Sequence, residues 1–211
     1  MENRLYVQYG SGLSAPQEWV NFDASPSLRL QKIPLIGVWA KRKVAFPENV
    51  RYGDITKGLP GIQDNSCDAV YCSHVLEHLS LEDFQKALDN TYRILKPGGI
   101  FRLVMPDLEK CVESYTLALA KGERDASIRF MKNTILGTEQ RPKGLKAIAE
   151  IVFGNARHLW MWDHPAIIEK LEKTGFSHVR PCRYHDNTDQ MFLRVEEESR
   201  FENALAIEAI K

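Results

Sequence analysis

The 211-residue sequence lacks a net charge, because 28 basic residues balance 28 acidic ones. A protein that binds duplex nucleic acid needs a strong positive field to engage the phosphates, so nucleic acid is not expected as a partner. A small anionic substrate remains compatible with this balance. Apolar residues make up 44% of the chain, as is typical of a globular protein with its own core.

Cysteines and long apolar runs are also scarce. The four cysteines are scattered, and Cys67 and Cys72 form a C-x4-C pair without a second pair to complete a zinc site. With no secretory leader before them, they are expected to be reduced thiols in a cytoplasmic protein. The longest apolar run, at 33–40, is too short to span a bilayer and, with the KRK after it, is typical of a buried helix with a solvated end. No membrane span is therefore expected, and the oligomeric state stays open.

Internal repeats are absent too, and strand-type runs instead alternate with helical ones. β-prone runs occur at 5–9, 19–23, 49–54, 67–73 and 100–106, and an amphipathic helix is predicted at 81–95 with a Ser80–Asp83 capping box. Further along, a helix at 162–176 leads into runs at 177–184 and 201–210 that should pair antiparallel. The pattern predicts a Rossmann-like, doubly wound α/β sheet of the seven-stranded type, mostly parallel with an antiparallel last strand. We expect residues 1–211 to form one domain, with a helical insertion at 107–157 after strand five.

Four polar features follow four successive predicted strands. They are Gly10-Ser11-Gly12, Asp23, Asp54 and Ser73-His74. Ligands of open α/β sheets bind at these carboxyl ends, where glycine amides approach a ligand and an acid after strand two accepts ribose hydroxyls. Each feature alone is more often a turn or a helix cap, but together they indicate a binding site.

The spacing in the first loop limits the class of ligand that can bind there. GSGLSA fits the dinucleotide fingerprint G-x-G-x-x-A, but only residues 13–18 lie between the loop and the next strand, and Pro16 is among them. A crossover with a helix needs about 10–12 residues, and the acid should follow about 20 residues on. No helix fits here to bind a pyrophosphate, which disfavours a nicotinamide cofactor and favours an adenosine compound without one.

The same segments carry a family resemblance. LYVQYGSGLSAPQEWVNFD, GDITKGLPGIQDNSCDAVYCSHVLEHL and RILKPGGIFRLVMPD resemble the class I S-adenosylmethionine-dependent methyltransferases, most of all the type 11-like branch found among polysaccharide and sugar-modifying genes. The resemblance implies S-adenosylmethionine as the cofactor. It places Gly10, Ser11 and Gly12 against the methionine portion, Asp23 on the ribose, Asp54 and Ile55 at the adenine edge, and Ser73 and His74 beside cofactor and substrate. The absent third glycine and first helix depart from most members.

HVLEH at 74–78 offers a competing interpretation, since His-x-x-Glu-His is the inverted zinc-protease pattern. On one helix, His74 and His78 would share a face. The motif instead follows a buried strand directly, and the sequence identifies no third ligand. We therefore predict no metal site and a structural role for His78.

Methyl transfer to a hydroxyl benefits from a base, and four residues are candidates for it. They are His74, Asp107, His158 and His164. Asp107 and His164 could equally be helix-capping residues. The insertion should cover the acceptor; its stretch 121–150 has a net charge of +3, which is compatible with an anionic acceptor or a solvated helix face. Trp160 and Trp162 could stack on a sugar, although core packing is expected for at least one.

The sequence thus predicts a methyltransferase that modifies an oxygen or nitrogen of a small-molecule or saccharide acceptor. Two alternatives stay open. The shortened first loop would also suit a catalytically silent relative that serves as a binding module. A nicotinamide-dependent oxidoreductase is disfavoured by the loop spacing.

Overall fold

A seven-stranded sheet forms the centre of the molecule, in a computed structural model that describes residues 4–33, 45–140 and 157–211. The strand order is β3-β2-β1-β4-β5-β7-β6. β7 runs antiparallel to both of its neighbours, and the other described pairs are parallel. This confirms the predicted Rossmann-like α/β fold and its antiparallel last strand. The strands are β1 Tyr6–Tyr9, β2 Val20–Asp23, β3 Val50–Tyr52, β4 Cys67–Ser73, β5 Leu95–Pro106, β6 Ser177–Pro181 and β7 Ala204–Ile210.

The helices begin and end at the signals in the sequence. They are α1 Pro26–Gln31, α2 Leu81–Ile94, α3 Leu108–Ala120, α4 Ala126–Asn133 and α5 His164–Thr174. The Ser80 hydroxyl accepts a hydrogen bond from the Asp83 amide at 3.2 Å, which confirms the predicted cap of α2. α5 ends at Gly175, whose φ of +109° suits glycine.

Two segments differ in detail from the prediction. β5 starts at Leu95 rather than residue 100, and its pairing with β4 jumps from Cys67–Leu95 to Ala69–Ile100. KPGG therefore forms an irregularity inside the strand rather than a turn before it. The run between β6 and β7 contains two short 3-10 helices, Gln190–Arg194 and Glu198–Phe201, which the sequence pattern did not predict.

The loop between β1 and β2 agrees with its short length. Residues 10–19 are all described, and they form turns and no helix. The helical stretch after β2 begins as predicted with α1, but the apolar run and KRK extend into residues 34–44, outside the described chain. In the insertion, α3 and α4 are the predicted helices, and residues 141–156 are likewise not described.

Alternating side chains of the strands build two cores, one on each face of the sheet. On one face, Val70 and Leu103 pack with Phe84 and Leu88 of α2 and with Ile167 of α5. The opposite face contains a second, smaller cluster, in which Trp19, Tyr71, Val104 and Phe192 meet. Burial of apolar side chains on both faces is what a parallel central sheet requires. Among the described helices, none is long and apolar enough to cross a membrane.

A buried arginine interrupts the second face. Arg102 in β5 is fully buried and donates to the carboxylates of Glu196 and Glu208, the latter at 3.1 Å. It also donates to the carbonyl oxygens of Arg183 and Asp186, at 2.6 and 2.7 Å. The run IFRLVMP is apolar apart from this residue. Its guanidinium joins β5 to β7 and to the segment that precedes β7.

Candidate active site

Five of the predicted strand-end residues come together around one cleft of about 640 Å³. Its size lies within the range of small-molecule and cofactor sites. The residues that line it from the strand ends include Gly10, Asp23, Asp54, Ile55 and His74. We call this space the strand-end cleft. Ser11 and Ser73 instead line a much smaller space beneath the glycine loop, and Gly12 lines neither of the two.

The position of Gly10 leaves no room for a side chain. Its φ is +69°, and a Cβ built there would lie 2.0 Å from Cγ2 of Val75. Gly12 also has a positive φ, +55°, and its amide donates to Oδ2 of Asp23 at 3.0 Å. The backbone of the loop is therefore pressed against the turn after β4 and fastened to the end of β2.

We expect Gly10→Ala to lose more stability than Gly122→Ala. Both positions have positive φ, which costs an alanine about 1–2 kcal/mol, but at Gly122 a new Cβ would have no neighbouring heavy atom within 4 Å. At Gly10 the clash with Val75 adds about 1–3 kcal/mol. Urea unfolding of both variants measures the difference. Adding Val75→Ala should restore part of the loss; equal losses at the two glycines would contradict the clash.

Asp23 is a nearly buried acid at the end of β2, with 7% of its surface exposed. Oδ1 accepts from the Ser25 amide at 2.7 Å and Oδ2 from the Gly12 amide at 3.0 Å. Each carboxylate oxygen can accept a second hydrogen bond, so Asp23 can still accept from hydroxyl groups in the strand-end cleft. The acid thus holds both neighbouring loops and faces the ligand space.

Asp54 caps the short 3-10 helix Ile55–Lys57 at the end of β3. Its Oδ1 accepts from the Thr56 amide at 3.0 Å and the Thr56 hydroxyl at 2.7 Å, and Oδ2 lies 3.0 Å from Nζ of Lys57. Burial acts to raise the pKa of Asp54, but the bonds from Thr56 and Lys57 outweigh it and lower the pKa. The carboxylate is consequently ionised at neutral pH.

This lowered pKa predicts a pH dependence of stability. A carboxyl group with a depressed folded-state pKa stabilises the fold above its unfolded pKa, and that contribution is lost as pH falls through the folded value. Wild type should therefore exceed Asp54→Asn in unfolding free energy by a constant amount from about pH 8 to about pH 5. The difference should shrink below the ordinary pKa of 3.8. Denaturation curves across pH measure it, and a difference that shrinks already near pH 6 would contradict the assignment.

His74 occupies an unusual position directly after β4. Its φ is +54°, a left-handed conformation uncommon for a residue with a side chain. Nε2 lies 2.8 Å from the carbonyl oxygen of Arg200, and Nδ1 lies 3.4 Å from Oε1 of Glu77. Burial acts to lower the pKa of His74, but these two contacts outweigh it and raise the pKa. Such a conformation is often retained at a functional position.

A second cavity of about 470 Å³ adjoins the strand-end cleft, since His74 lines both. Its wall is formed by residues of the insertion, of the segment before α5 and of the chain before β7: Lys110, Cys111, Ser114, Asn133, Ile135, His158, Glu202 and Asn203, together with Pro106. We call it the second cavity. Burial lowers the pKa of its His158.

Backbone hydrogen bonds bring His158 to this place. The amides of Leu159 and Trp160 both donate to the carbonyl oxygen of Glu77, at 2.8 and 3.1 Å. His78 also contacts the segment, with Nδ1 2.8 Å from the carbonyl oxygen of Arg157. These contacts join a distant part of the chain to the HVLEH turn, a proximity that no local pattern in the sequence indicates.

The other two candidate bases lie elsewhere. Asp107 is buried and caps α3 by accepting from the Glu109 amide at 2.9 Å, and it lines neither cavity. His164 is the first residue of α5, also away from both cavities, while the cap is Asp163. Trp162 is a core residue, stacked on Phe84 with ring centroids 4.4 Å apart, whereas 43% of Trp160 is exposed.

Comparison with known proteins agrees with this geometry. A family model described as a methyltransferase domain matches residues 18–103, from just after the glycine loop into β5. An S-adenosylmethionine-dependent methyltransferase of Thermotoga maritima, described as a possible histamine N-methyltransferase, is 18% identical with a TM-score of 0.50, over 98% of this chain and 82% of that one. Another from Archaeoglobus fulgidus is 16% identical with a TM-score of 0.51, over 99% and 86%. No curated protein matches the chain.

At these identities the two structures establish the fold alone, and the family model shows that residues 18–103 are similar to a methyltransferase domain. The match covers β2 to β5, which include Asp23, Asp54 and the HVLEH turn. The chain therefore contains a segment similar to a methyltransferase domain, at residues 18–103, inside a seven-stranded sheet with the fold of S-adenosylmethionine-dependent methyltransferases.

Proposed function

We propose that the chain transfers a methyl group from S-adenosylmethionine to an oxygen or nitrogen of a small-molecule or saccharide acceptor. The observation that carries this proposal is the pair of adjoining cavities with His74 between them. One cavity has the strand-end acids expected of a cofactor site, and the other lies under the insertion. Residues 1–211 would then act as one domain, with 107–157 as its substrate cover.

The residues of the strand-end cleft fit the cofactor. Asp23 would accept the ribose hydroxyls, and Asp54 with the backbone of Ile55 would bind the adenine edge. Gly10 would lie along the methionine portion, because a position without a side chain permits close approach, with Ser11 and Gly12 following in the same loop outside the lining of the cleft. Ser73 and His74 would flank the reacting end. Bound S-adenosylmethionine supplies a methyl group on a positively charged sulfur.

The second cavity would hold the acceptor. Its walls hold a cation from Lys110, a carboxylate from Glu202 and the amides of Asn133 and Asn203. Such a lining can position hydroxyl or amino groups and align one of them with the methyl group, and alignment contributes much of the rate in such a displacement. Lys110 can also pair with an anionic acceptor. Trp160 is exposed but lines neither cavity, so the saccharide alternative rests on the polar lining of the second cavity.

The proton of the acceptor needs a destination when the new bond forms. Of the four candidate bases, only His74 and His158 line the second cavity in the described part of the chain. The lowered pKa of His158 keeps this imidazole neutral at pH 7, so it can accept a proton. Asp107 and His164 line neither cavity.

Calorimetry with S-adenosylhomocysteine, followed by transfer of labelled methyl groups to a panel of sugars, nucleotide sugars and small amines, tests this function. We expect binding in the micromolar range and turnover of at least one acceptor class. Absence of binding at millimolar concentration would overturn the proposal. Binding without turnover across the panel would favour a silent binding module, and tight binding of NADH instead would favour an oxidoreductase.

A further inference from the structure

The carboxylate of Glu77 is buried, and imidazole rings face it. It is 1% exposed, and neither of its oxygens has a hydrogen-bond partner among the described residues. The groups that face it are imidazole nitrogens: Nδ1 of His74 at 3.4 Å and Nε2 of His158 at 3.9 Å from Oε1. An ionised carboxylate taken out of water this way needs a compensating positive charge.

Three histidines surround this carboxylate. Ligand atoms of Glu77, His78 and His158 all lie within 4.8 Å of one another, and His74 also contacts Glu77 without belonging to that group. We call Glu77, His78 and His158 the Glu77 cluster. Nδ1 of His158 is buried and has no hydrogen-bond partner in the described chain. In folded proteins a buried nitrogen of this kind normally has a hydrogen-bond partner.

In His74 and His78, a hydrogen bond to a backbone carbonyl oxygen determines which ring nitrogen carries a proton. A carbonyl oxygen only accepts, so Nε2 of His74 must donate to Arg200, and Nδ1 of His78 must donate to Arg157. Nε2 of His78 is left with a lone pair in the neutral ring, whereas Nδ1 of His74 faces Oε1 of Glu77 at 3.4 Å. Metal-binding histidines are typically oriented in this way, with the second ring nitrogen donating to a carbonyl or carboxylate.

We propose that the Glu77 cluster binds one divalent first-row transition-metal ion, such as Zn²⁺, between the strand-end cleft and the second cavity. Zinc–nitrogen bonds of about 2.0–2.1 Å in tetrahedral geometry place ligand atoms about 3.3 Å apart. Nε2 of His158 lies 3.9 Å from Oε1 of Glu77, and all three ligand atoms lie within 4.8 Å of one another, so a modest movement brings them to that spacing. Imidazole-rich sites with one carboxylate prefer zinc, iron or nickel to magnesium or calcium.

A metal ion bound here would contradict the sequence-based prediction of no metal site. The HVLEH motif lacked a downstream ligand in the sequence, and the structure supplies one in His158. The proposal that an ion binds here is independent of the proposed function, whereas the role of the ion rests on that function. Because His74 and His158 line the second cavity, an open coordination position would face the acceptor. With His158 bound to the ion, the ion would take over the task of that base: it would bind an acceptor oxygen and favour loss of its proton to water, which selects hydroxyl-bearing acceptors.

Metal titration of the full chain tests the site. The purified protein is stripped with a chelator and titrated with Co²⁺ by absorption spectroscopy and with Zn²⁺ by calorimetry. We expect one ion per chain, with cobalt absorption bands typical of nitrogen and oxygen ligands, and no comparable binding of Mg²⁺. Glu77→Gln should weaken Co²⁺ binding at least about 100-fold, since even second-shell changes cost 10–100-fold. His78→Ala, at a half-buried position, should weaken it similarly and provides a second variant.

His164→Ala is the matched control. Asp107, Glu109 and His164 form another group of potential ligands, but Asp107 already caps α3. This variant should leave Co²⁺ binding unchanged. Loss of the ion in His164→Ala, or Co²⁺ binding that survives both Glu77→Gln and His78→Ala, would overturn the assignment. S-adenosylhomocysteine titration of the stripped protein separates the two proposals, since cofactor binding without metal binding contradicts only this one.

Discussion

Replacement of Arg102 by methionine should lower the free energy of unfolding by about 3–5 kcal/mol, because removing one partner of a buried ion pair leaves the other charged and uncompensated. Arg102 is fully buried and binds the carboxylates of Glu196 and Glu208, which are also nearly inaccessible. Glu208 keeps a second partner in Arg180 at 2.9 Å, so Glu196 should carry most of the penalty. Urea denaturation followed by tryptophan fluorescence measures the change.

Two further variants show whether charge is the cause. Arg93→Met removes an exposed pair with Asp64 and should cost less than about 1 kcal/mol. Adding Glu196→Gln to Arg102→Met removes the uncompensated carboxylate and should recover part of the lost stability. A double variant as unstable as Arg102→Met itself would show that lost packing of the long side chain, rather than the buried charge, sets the cost.

The sheet and the meeting of several strand-end residues at one cleft could be predicted because their signals are local. Each strand ends at a glycine, an acid or a serine, and the rule that ligands bind at the carboxyl ends of parallel strands then places these residues together. Gly10, Asp23 and Asp54 line the same cleft for this reason. The short first loop was equally predictable, since no helix can form in so few residues.

The interactions that could not be predicted join residues far apart in the sequence. Arg102 reads as an isolated charge in an apolar strand, and its partner Glu196 lies in a segment with no periodic pattern. Glu77 meets His158 only because the amides of Leu159 and Trp160 donate to the Glu77 carbonyl. Side-chain periodicity reports which face of an element is buried, but it does not report which buried polar groups will meet.

Asp23→Ala should weaken the binding of S-adenosylhomocysteine at least about 100-fold. Two hydrogen bonds from ribose hydroxyls to a carboxylate contribute about 1.5–3 kcal/mol each, and 1.4 kcal/mol corresponds to a factor of ten in affinity. The substitution also frees the amides of Gly12 and Ser25, which donate to Asp23 at 3.0 and 2.7 Å. The glycine loop would then lose its attachment to β2, adding to the loss. Calorimetry of the purified variant measures it.

Asp23→Asn separates the two contributions. Asparagine keeps one oxygen for a backbone amide but turns an NH₂ group towards the other, so the carboxylate's charge and one accepted bond are lost together. We expect its affinity to fall between those of wild type and Asp23→Ala. Asp89→Asn, at an exposed position that accepts from Gln85, should bind like wild type. If Asp23→Ala is folded by circular dichroism and binds within about threefold of wild type, far less than lost charged hydrogen bonds cost, the ribose is held by another group.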